Sequence, residues 1–141
     1  MSLKGSFVWP VSVRIIHWAL AFIIILDAFF TEDNLHNYLG YLAVILVVLR
    51  LIIGLTGKSH VRLSALPIKP SDLITYFKNH FKGVAHYEGH NPAASIVYIL
   101  MWLLVILIGV SGWMMGLDAY WGDENLEMIH TWLSNALIGL V

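Results

Sequence analysis

Four long stretches of apolar residues, separated by polar segments, divide the chain. A helix needs about 20 predominantly apolar residues to cross the hydrocarbon core of a bilayer, and three of the four stretches have that length. The pattern therefore predicts an all-α fold, an integral membrane four-helix bundle, formed by a single transmembrane domain over residues 1–141. The helices are expected at about residues 11–30, 35–55, 93–117 and 125–141.

The fourth apolar stretch is shorter than the other three. It holds about 16 residues, which make roughly 24 Å of helix against a hydrocarbon core of about 30 Å. We therefore expect helix 4 to be truncated in this chain.

Polar residues predict where two of the helices start. Asn91 and Pro92 precede the third apolar stretch, and Asn is a favoured N-cap while Pro is favoured in the first turn. Asp33 or Asn34 is the expected cap of helix 2.

The long polar segment between helices 2 and 3 contains a further periodic pattern. Pro70, Ser71 and Asp72 are typical of a helix start, and apolar residues then recur at helical spacing among lysines. This pattern predicts an amphipathic segment at about 70–83 that lies on the cytoplasmic membrane surface and covers the ends of the bundle.

The distribution of basic residues predicts the orientation of the bundle. Loops rich in Lys and Arg stay in the cytoplasm, and all eight basic residues of this chain fall at or near one side: Lys4, Arg14, Arg50, Lys58, Arg62, Lys69, Lys78 and Lys82. The loops after helices 1 and 3 carry acidic residues and no basic ones. We therefore expect a multi-pass protein of the bacterial inner membrane with a cytoplasmic N-terminus and two acidic periplasmic loops.

Composition narrows the chemistry. Hydrophobic residues make up 59% of the chain and charged residues 12%, against about 25% charged in an average soluble domain. The formal net charge of −1 argues against a broad nucleic-acid-binding surface, so no nucleic acid partner is expected. The chain has no Cys, which excludes disulfides, Cys-ligated iron–sulfur clusters and covalent c-type haem attachment.

Three of the seven histidines fall in or at the edge of the predicted spans, where ionisable residues are costly and usually functional. His36, at the start of helix 2, and His130, one turn into helix 4, lie at the same predicted depth. Two imidazoles facing each other across a bundle can ligate a haem iron from both sides. The alternative is that both are interfacial polar residues at helix ends.

His17 lies deeper, towards the cytoplasmic side, without an evident partner. A histidine about 14 residues after His130 would share its helix face about 21 Å further on, at a position past Val141. The remaining histidines are expected in polar segments. His86 and His90 are more typical of a turn than of a metal site, and His90 is a candidate for a site near a quinone head group.

Other residues are candidates for contacts with a cofactor. Arg14 and Arg50 lie on the faces of His17 and His36 at the cytoplasmic side, where they are expected either to bind haem propionates or to snorkel to the membrane edge. Gly40 follows His36 by one turn and leaves room for a porphyrin edge. Gly54 is a further candidate for a cofactor contact, although close helix packing is the favoured interpretation. Asp27 is open to three interpretations: a cap, a hydrogen-bond partner of a ligand histidine, or part of a proton path.

Several of these motifs occur together in one known family. The segments are VWPVSVRIIHW at 8–18, LHNYLGY at 35–41, LRL at 49–51, GLTG at 54–57, GHNPAA at 89–94 and EMIHTW at 127–132. In this order they resemble the bacterial cytochrome b-561 family, which includes the cytochrome b subunits of nickel–iron hydrogenases and formate dehydrogenases.

The resemblance implies a haem-binding domain with two b haems, one near each membrane face. His36 and His130 would hold the periplasmic haem. His17 would hold the cytoplasmic haem with a second helix-4 histidine that this chain lacks, so at least one haem b is expected here.

Three functions compete. The first is an electron-transfer subunit of a respiratory chain that links membrane quinone to a periplasmic c-type cytochrome or dehydrogenase subunit. The second, also implied by the resemblance, is a superoxide:quinone oxidoreductase, against which the acidic periplasmic loops argue because they repel an anion. The third is a non-haem membrane scaffold or transporter subunit, for which Gly/Pro-broken spans would be expected, and no proline interrupts these spans.

Overall fold

A computed structural model describes residues 10–30, 33–57, 62–82 and 91–141, without the side chains of Asp33 and His80. These residues form five α-helices, joined in part by short 3-10 turns: α1 (Val11–Phe30), α2 (Asp33–Thr56), α3 (Pro70–Phe81), α4 (Pro92–Met115) and α5 (Glu124–Leu140). The described part of the chain contains no β-strand, so the predicted all-α class is confirmed.

Three helices are long and apolar enough to cross a membrane, namely Val11–Phe30, Asn34–Thr56 and Pro92–Met115. Their large apolar side chains mostly point away from the protein; Trp18 and Phe22, for example, are 71% and 67% exposed. Such a surface is stable in lipid but not in water, because burial in hydrocarbon removes the cost of hydrating it. Helices of membrane-spanning length and apolarity are thus confirmed at the first three predicted positions, which are α1, α2 and α4. Helix α5, with 17 residues, is shorter than these three.

The helices pack in the order α1 on α2, α2 on α4 and α4 on α5, and α3 lies against α4. Their shared core contains small and branched apolar side chains: Ile23, Ala43, Val47, Val105 and Leu137. Val47 is fully buried. The core residues of α1, α2 and α4 lie near the middle of these helices, and Leu137 lies near the end of α5.

The start of α4 is the one predicted. The Asn91 side chain accepts a hydrogen bond from the Ala94 backbone N–H at 2.7 Å, and Pro92 occupies the first turn. The helix ends at Met115, two residues before the predicted end, and Gly116 caps it. The predicted cap of α2 adjoins residues 31–32, which lie outside the described residues, and stays a prediction.

The connection from α4 to α5 is a tight turn that fixes where α5 begins. Gly122 adopts a positive φ of 75°, which residues with a Cβ rarely adopt. Asp123 follows and accepts hydrogen bonds from the backbone N–H groups of Asn125 and Leu126 at 3.0 and 3.2 Å. Helix α5 therefore starts at Glu124, one residue earlier than predicted, and brings His130 into its second turn.

Helix α3 is amphipathic, as predicted for the segment at about 70–83. It ends at Phe81 rather than at residue 83. One face contacts α4, while Ile74, Phe77 and Phe81 on a neighbouring face are 56%, 46% and 84% exposed.

Candidate functional site

Two cavities lie between the long helices, one towards each end. The His36 cavity, of about 370 Å³, is lined by residues of α1, α2, α4 and α5, including His36, Gly40 and His130. The His17 cavity, of about 530 Å³, is lined by the start of α1, the end of α2, the first half of α4 and the last residues of α5. Both volumes lie in the range of cofactor pockets, roughly 300–1,000 Å³. Ile24 and Val105 line both cavities, which are therefore adjacent along the helix axes.

The His36 cavity brings together the two histidines predicted to share a haem. Their ring centroids lie 6.0 Å apart, with an angle of 76° between the ring planes. Two metal–imidazole bonds of about 2 Å, added to two ring radii of about 1 Å, place the centroids of a bis-imidazole pair roughly 6 Å apart. The separation therefore fits one metal ion held between the two rings.

Each of these histidines is held through its Nδ1 atom. His36 Nδ1 lies 3.1 Å from Asp27 Oδ1. An ionised carboxylate only accepts hydrogen bonds, so His36 donates from Nδ1. Of the three interpretations of Asp27 that the sequence leaves open, the structure shows hydrogen bonding to a candidate ligand histidine.

His130 Nδ1 lies 2.8 Å from the Ser111 hydroxyl oxygen. The Ser111 hydroxyl donates its single hydrogen to the Ile108 carbonyl at 2.9 Å. With that hydrogen on the carbonyl, the serine oxygen can accept an Nδ1–H of His130. A neutral imidazole that donates from Nδ1 presents the lone pair of Nε2, which is the form that binds a metal.

Two glycines affect the space around the pair. A Cβ on Gly112 would lie 3.3 Å from Cε1 of His130, so the missing side chain lets the imidazole approach α4. A Cβ on Gly40 would meet nothing within 4 Å, and this glycine lines the cavity on the side of His36. The porphyrin edge expected beside Gly40 stays a prediction.

The His17 cavity contains His17, Arg14 and Arg50, as the sequence predicts for a second cofactor site. Arg50 is 5% exposed, and its guanidinium carbon lies 5.2 Å from the centroid of the Trp102 ring. The His17 ring contacts Trp18 edge-on, with centroids 5.6 Å apart. Among the described residues, His17 is the single histidine lining this cavity.

Gly54 is placed differently from the other candidates. A Cβ on Gly54 would lie 2.7 Å from Cγ of Leu63, in the 3-10 turn after α2, and 3.0 Å from a guanidinium nitrogen of Arg50. It lines neither of the two cavities. In this structure Gly54 allows close packing, the interpretation that the sequence favours.

The described residues contain no group of three or more His, Cys, Asp or Glu side chains that could hold a bare metal ion. A haem needs less from the protein, since the porphyrin provides four nitrogens and the protein provides only the axial ligands. His60, His86 and His90 lie outside the described residues, and the predictions made for them stay untested.

Ser111 is the residue of this site that the sequence did not reveal. It precedes His130 by 19 positions and lies in a predominantly apolar helix. A serine in a membrane-length helix is only a weak signal of a functional site. Its hydroxyl commonly donates to the backbone carbonyl three or four residues earlier, with no further role.

Comparison with known proteins supports the resemblance. The family model described as "Prokaryotic cytochrome b561" matches residues 8–141. No curated protein and no solved structure shows significant similarity to the chain. Because the family match spans nearly the whole sequence and all four long helices, this chain belongs to the prokaryotic cytochrome b561 family of membrane-embedded, haem b-binding electron-transfer proteins.

Proposed function

We propose that this protein is a four-helix inner-membrane cytochrome that carries electrons between membrane quinone and a redox partner in the periplasm. The observation that carries the proposal is the pair His36 and His130, whose ring centroids lie 6.0 Å apart and whose Nδ1 atoms each lie against a side-chain oxygen, which leaves Nε2 for a metal. A haem held there would supply a one-electron Fe(III)/Fe(II) couple.

The His17 cavity is the proposed site of a second haem on the cytoplasmic side. His17 is the axial ligand available there, and Arg14 and Arg50 provide permanent charges for two propionates. The two cavities share Ile24 and Val105. Two redox centres held in them would be close neighbours across the bundle, which suits transfer of electrons from one membrane face to the other.

Quinone is the proposed partner at the cytoplasmic end, and a soluble c-type cytochrome or a dehydrogenase subunit is the proposed partner at the periplasmic end. Acidic side chains are exposed near the start of α5: Asp118, Glu124 and Glu127. A partner with a basic docking surface would be attracted to them, whereas superoxide would be repelled. This charge favours electron transfer between proteins over superoxide oxidation.

Haem content and spectra test the proposal. The protein is expressed with haem supplied and purified in detergent, and haem per protein is measured together with a reduced-minus-oxidised spectrum. We expect at least one b haem per chain, and we expect His36→Ala and His130→Ala each to remove the same haem. His17→Ala should leave that haem in place, and His86→Ala serves as the matched histidine control.

The outcomes separate the competing functions. Absence of a Soret band from the unmodified protein would overturn the proposal and favour a non-haem scaffold. Quinone reduction driven by superoxide, at a rate that rises as salt is lowered, would favour the oxidoreductase instead. Reduction of the haem by a quinol, followed by oxidation by a basic c-type cytochrome, is the expected result.

A further inference from the structure

The two histidines of the His36 cavity have chemically different partners. His36 donates to the carboxylate of Asp27, whose side chain is 18% exposed. His130 Nδ1 lies 2.8 Å from the neutral hydroxyl of Ser111, which is 5% exposed. The cavity therefore has one charged and one neutral hydrogen-bond partner.

Each partner belongs to a different helix from the histidine that it contacts. Ser111 is anchored because its hydroxyl donates to the Ile108 carbonyl. Asp27 lies near the end of α1, and its carboxylate reaches across to the start of α2. The Asp27–His36 and Ser111–His130 contacts each join two helices, so both depend on the assembled bundle.

We propose that Asp27 and Ser111 are positioning residues that lock His36 and His130 in the Nδ1–H tautomer, and that Asp27 lowers the reduction potential of the metal the two rings hold. This inference rests on the proposed function. A hydrogen bond to a carboxylate makes an imidazole a stronger electron donor. A stronger donor stabilises the oxidised, more positively charged metal over the reduced one, and a hydroxyl acceptor does so less.

The tautomer is tested first on the haem-free protein, so that the result does not depend on haem binding. The ¹⁵N chemical shifts of the histidine rings distinguish the Nδ1–H from the Nε2–H form. We expect His130 to be Nδ1–H in the unmodified protein and to become a mixture of tautomers in Ser111→Ala. Ser95→Ala is the matched control, because Ser95 is also buried on α4 and donates to a backbone carbonyl at 2.9 Å, and it makes no hydrogen bond to a histidine of the described residues.

The potential is tested on the haem-loaded protein by a redox titration followed optically. We expect Asp27→Asn to raise the midpoint potential by about 59 mV, which corresponds to a tenfold change in the reduction equilibrium of a one-electron couple. Ser111→Ala should raise it by less, and Ser111→Thr, which keeps a hydroxyl, should restore it. Asp118→Asn removes the same charge from an exposed loop position and should leave the potential nearly unchanged.

The results separate this inference from the proposed function. Failure of the unmodified protein to bind haem would overturn the function, while the tautomer measurement would still decide the role of Ser111. An Nε2–H form of His130 in the haem-free protein would overturn the positioning role. Equal potentials for Asp27→Asn, Asp118→Asn and the unmodified protein, with haem content intact, would overturn the role of Asp27.

Discussion

The guanidinium carbon of Arg50 lies 5.2 Å from the centroid of the Trp102 ring. Arg50 belongs to α2 and Trp102 to α4, so the contact joins two of the helices predicted to span the membrane. A cation over the face of an indole is attracted by the ring quadrupole. This attraction holds a buried charge at the wall of the His17 cavity, where a propionate is predicted to bind.

The energy of this contact can be isolated with a double-mutant cycle of Arg50→Gln and Trp102→Leu. Unfolding in detergent should give a coupling of about 0.5–2 kcal/mol, the range of partly desolvated cation–π pairs. Trp113→Leu provides the control, because Trp113 lies on the same helix and is 54% exposed. A coupling equal to that measured with Trp113→Leu would show that the ring does not stabilise Arg50.

Gly40 offers a test of where the cofactor lies. A Cβ there meets nothing within 4 Å in the protein alone, so Gly40→Ala should stabilise the haem-free chain by about 1 kcal/mol through helix propensity. A porphyrin edge in that space would meet the new methyl group. Overpacking of roughly 1–3 kcal/mol would weaken haem affinity by a factor of about 5 to 150.

Gly139→Ala is the matched control for Gly40→Ala, because it is also a helical glycine with open space around its Cβ position. Both variants should gain stability without haem, and only Gly40→Ala should lose haem affinity in a titration. Unchanged affinity in both would place the porphyrin away from Gly40.

The cap of α5 should influence both stability and the candidate site. Asp123→Ala removes two hydrogen bonds to backbone N–H groups and should cost about 0.5–2 kcal/mol in thermal unfolding. Because His130 lies in the second turn of the same helix, fraying should also lower haem retention. Asp123→Asn preserves the cap and should restore both quantities; equal losses in the two variants would point to charge instead.

Helix α3 is expected to lie at the membrane surface, with Ile74, Phe77 and Phe81 in the acyl boundary and lysines at the head groups. The chain has no Cys, so a spin label on Phe77→Cys reports a unique position. In vesicles containing anionic phosphatidylglycerol, this label should be accessible to oxygen and shielded from a water-soluble relaxant. Thr75→Cys, another exposed position of α3, should show the opposite preference, and equal accessibility would contradict the surface placement.

The orientation predicted from basic residues can be checked by thiol labelling in intact spheroplasts. Asp118→Cys lies between α4 and α5 and should react with a membrane-impermeant maleimide. Lys82→Cys, directly after α3, should react only after the membrane is broken. The reverse pattern would place the N-terminus outside, against the positive-inside rule.

Much of the fold follows from the sequence because membrane helices can be recognised by their length and their apolar composition. The apolar runs predicted α1, α2 and α4 within a few residues, and the pair Asn91-Pro92 predicted the start of α4. Helix α3 was predicted from its amphipathic period. These are local properties, since capping and hydrophobic length depend on residues adjacent in the chain.

The candidate site was only partly predictable. Depth along a span is readable from sequence, so His36 and His130 could be paired in advance. The rotation of each helix about its own axis cannot be read from the sequence. In a helix that is apolar on all sides, no periodic pattern of polar residues shows which face is buried. That rotation decides that Ser111 meets His130, that Trp102 covers Arg50 and that Gly54 packs on Leu63.

The sequence by itself thus determined the helices, their membrane character and the histidines at matched depth. Only the tertiary structure decided which side chain contacts Nδ1 of each histidine, because these side chains come from other helices. The structure places Asp27 against His36, which is one of the three roles that the sequence leaves open, and it places Ser111 against His130. The physical reason is that hydrogen bonds form within about 3 Å, a distance that only the assembled packing of the helices sets.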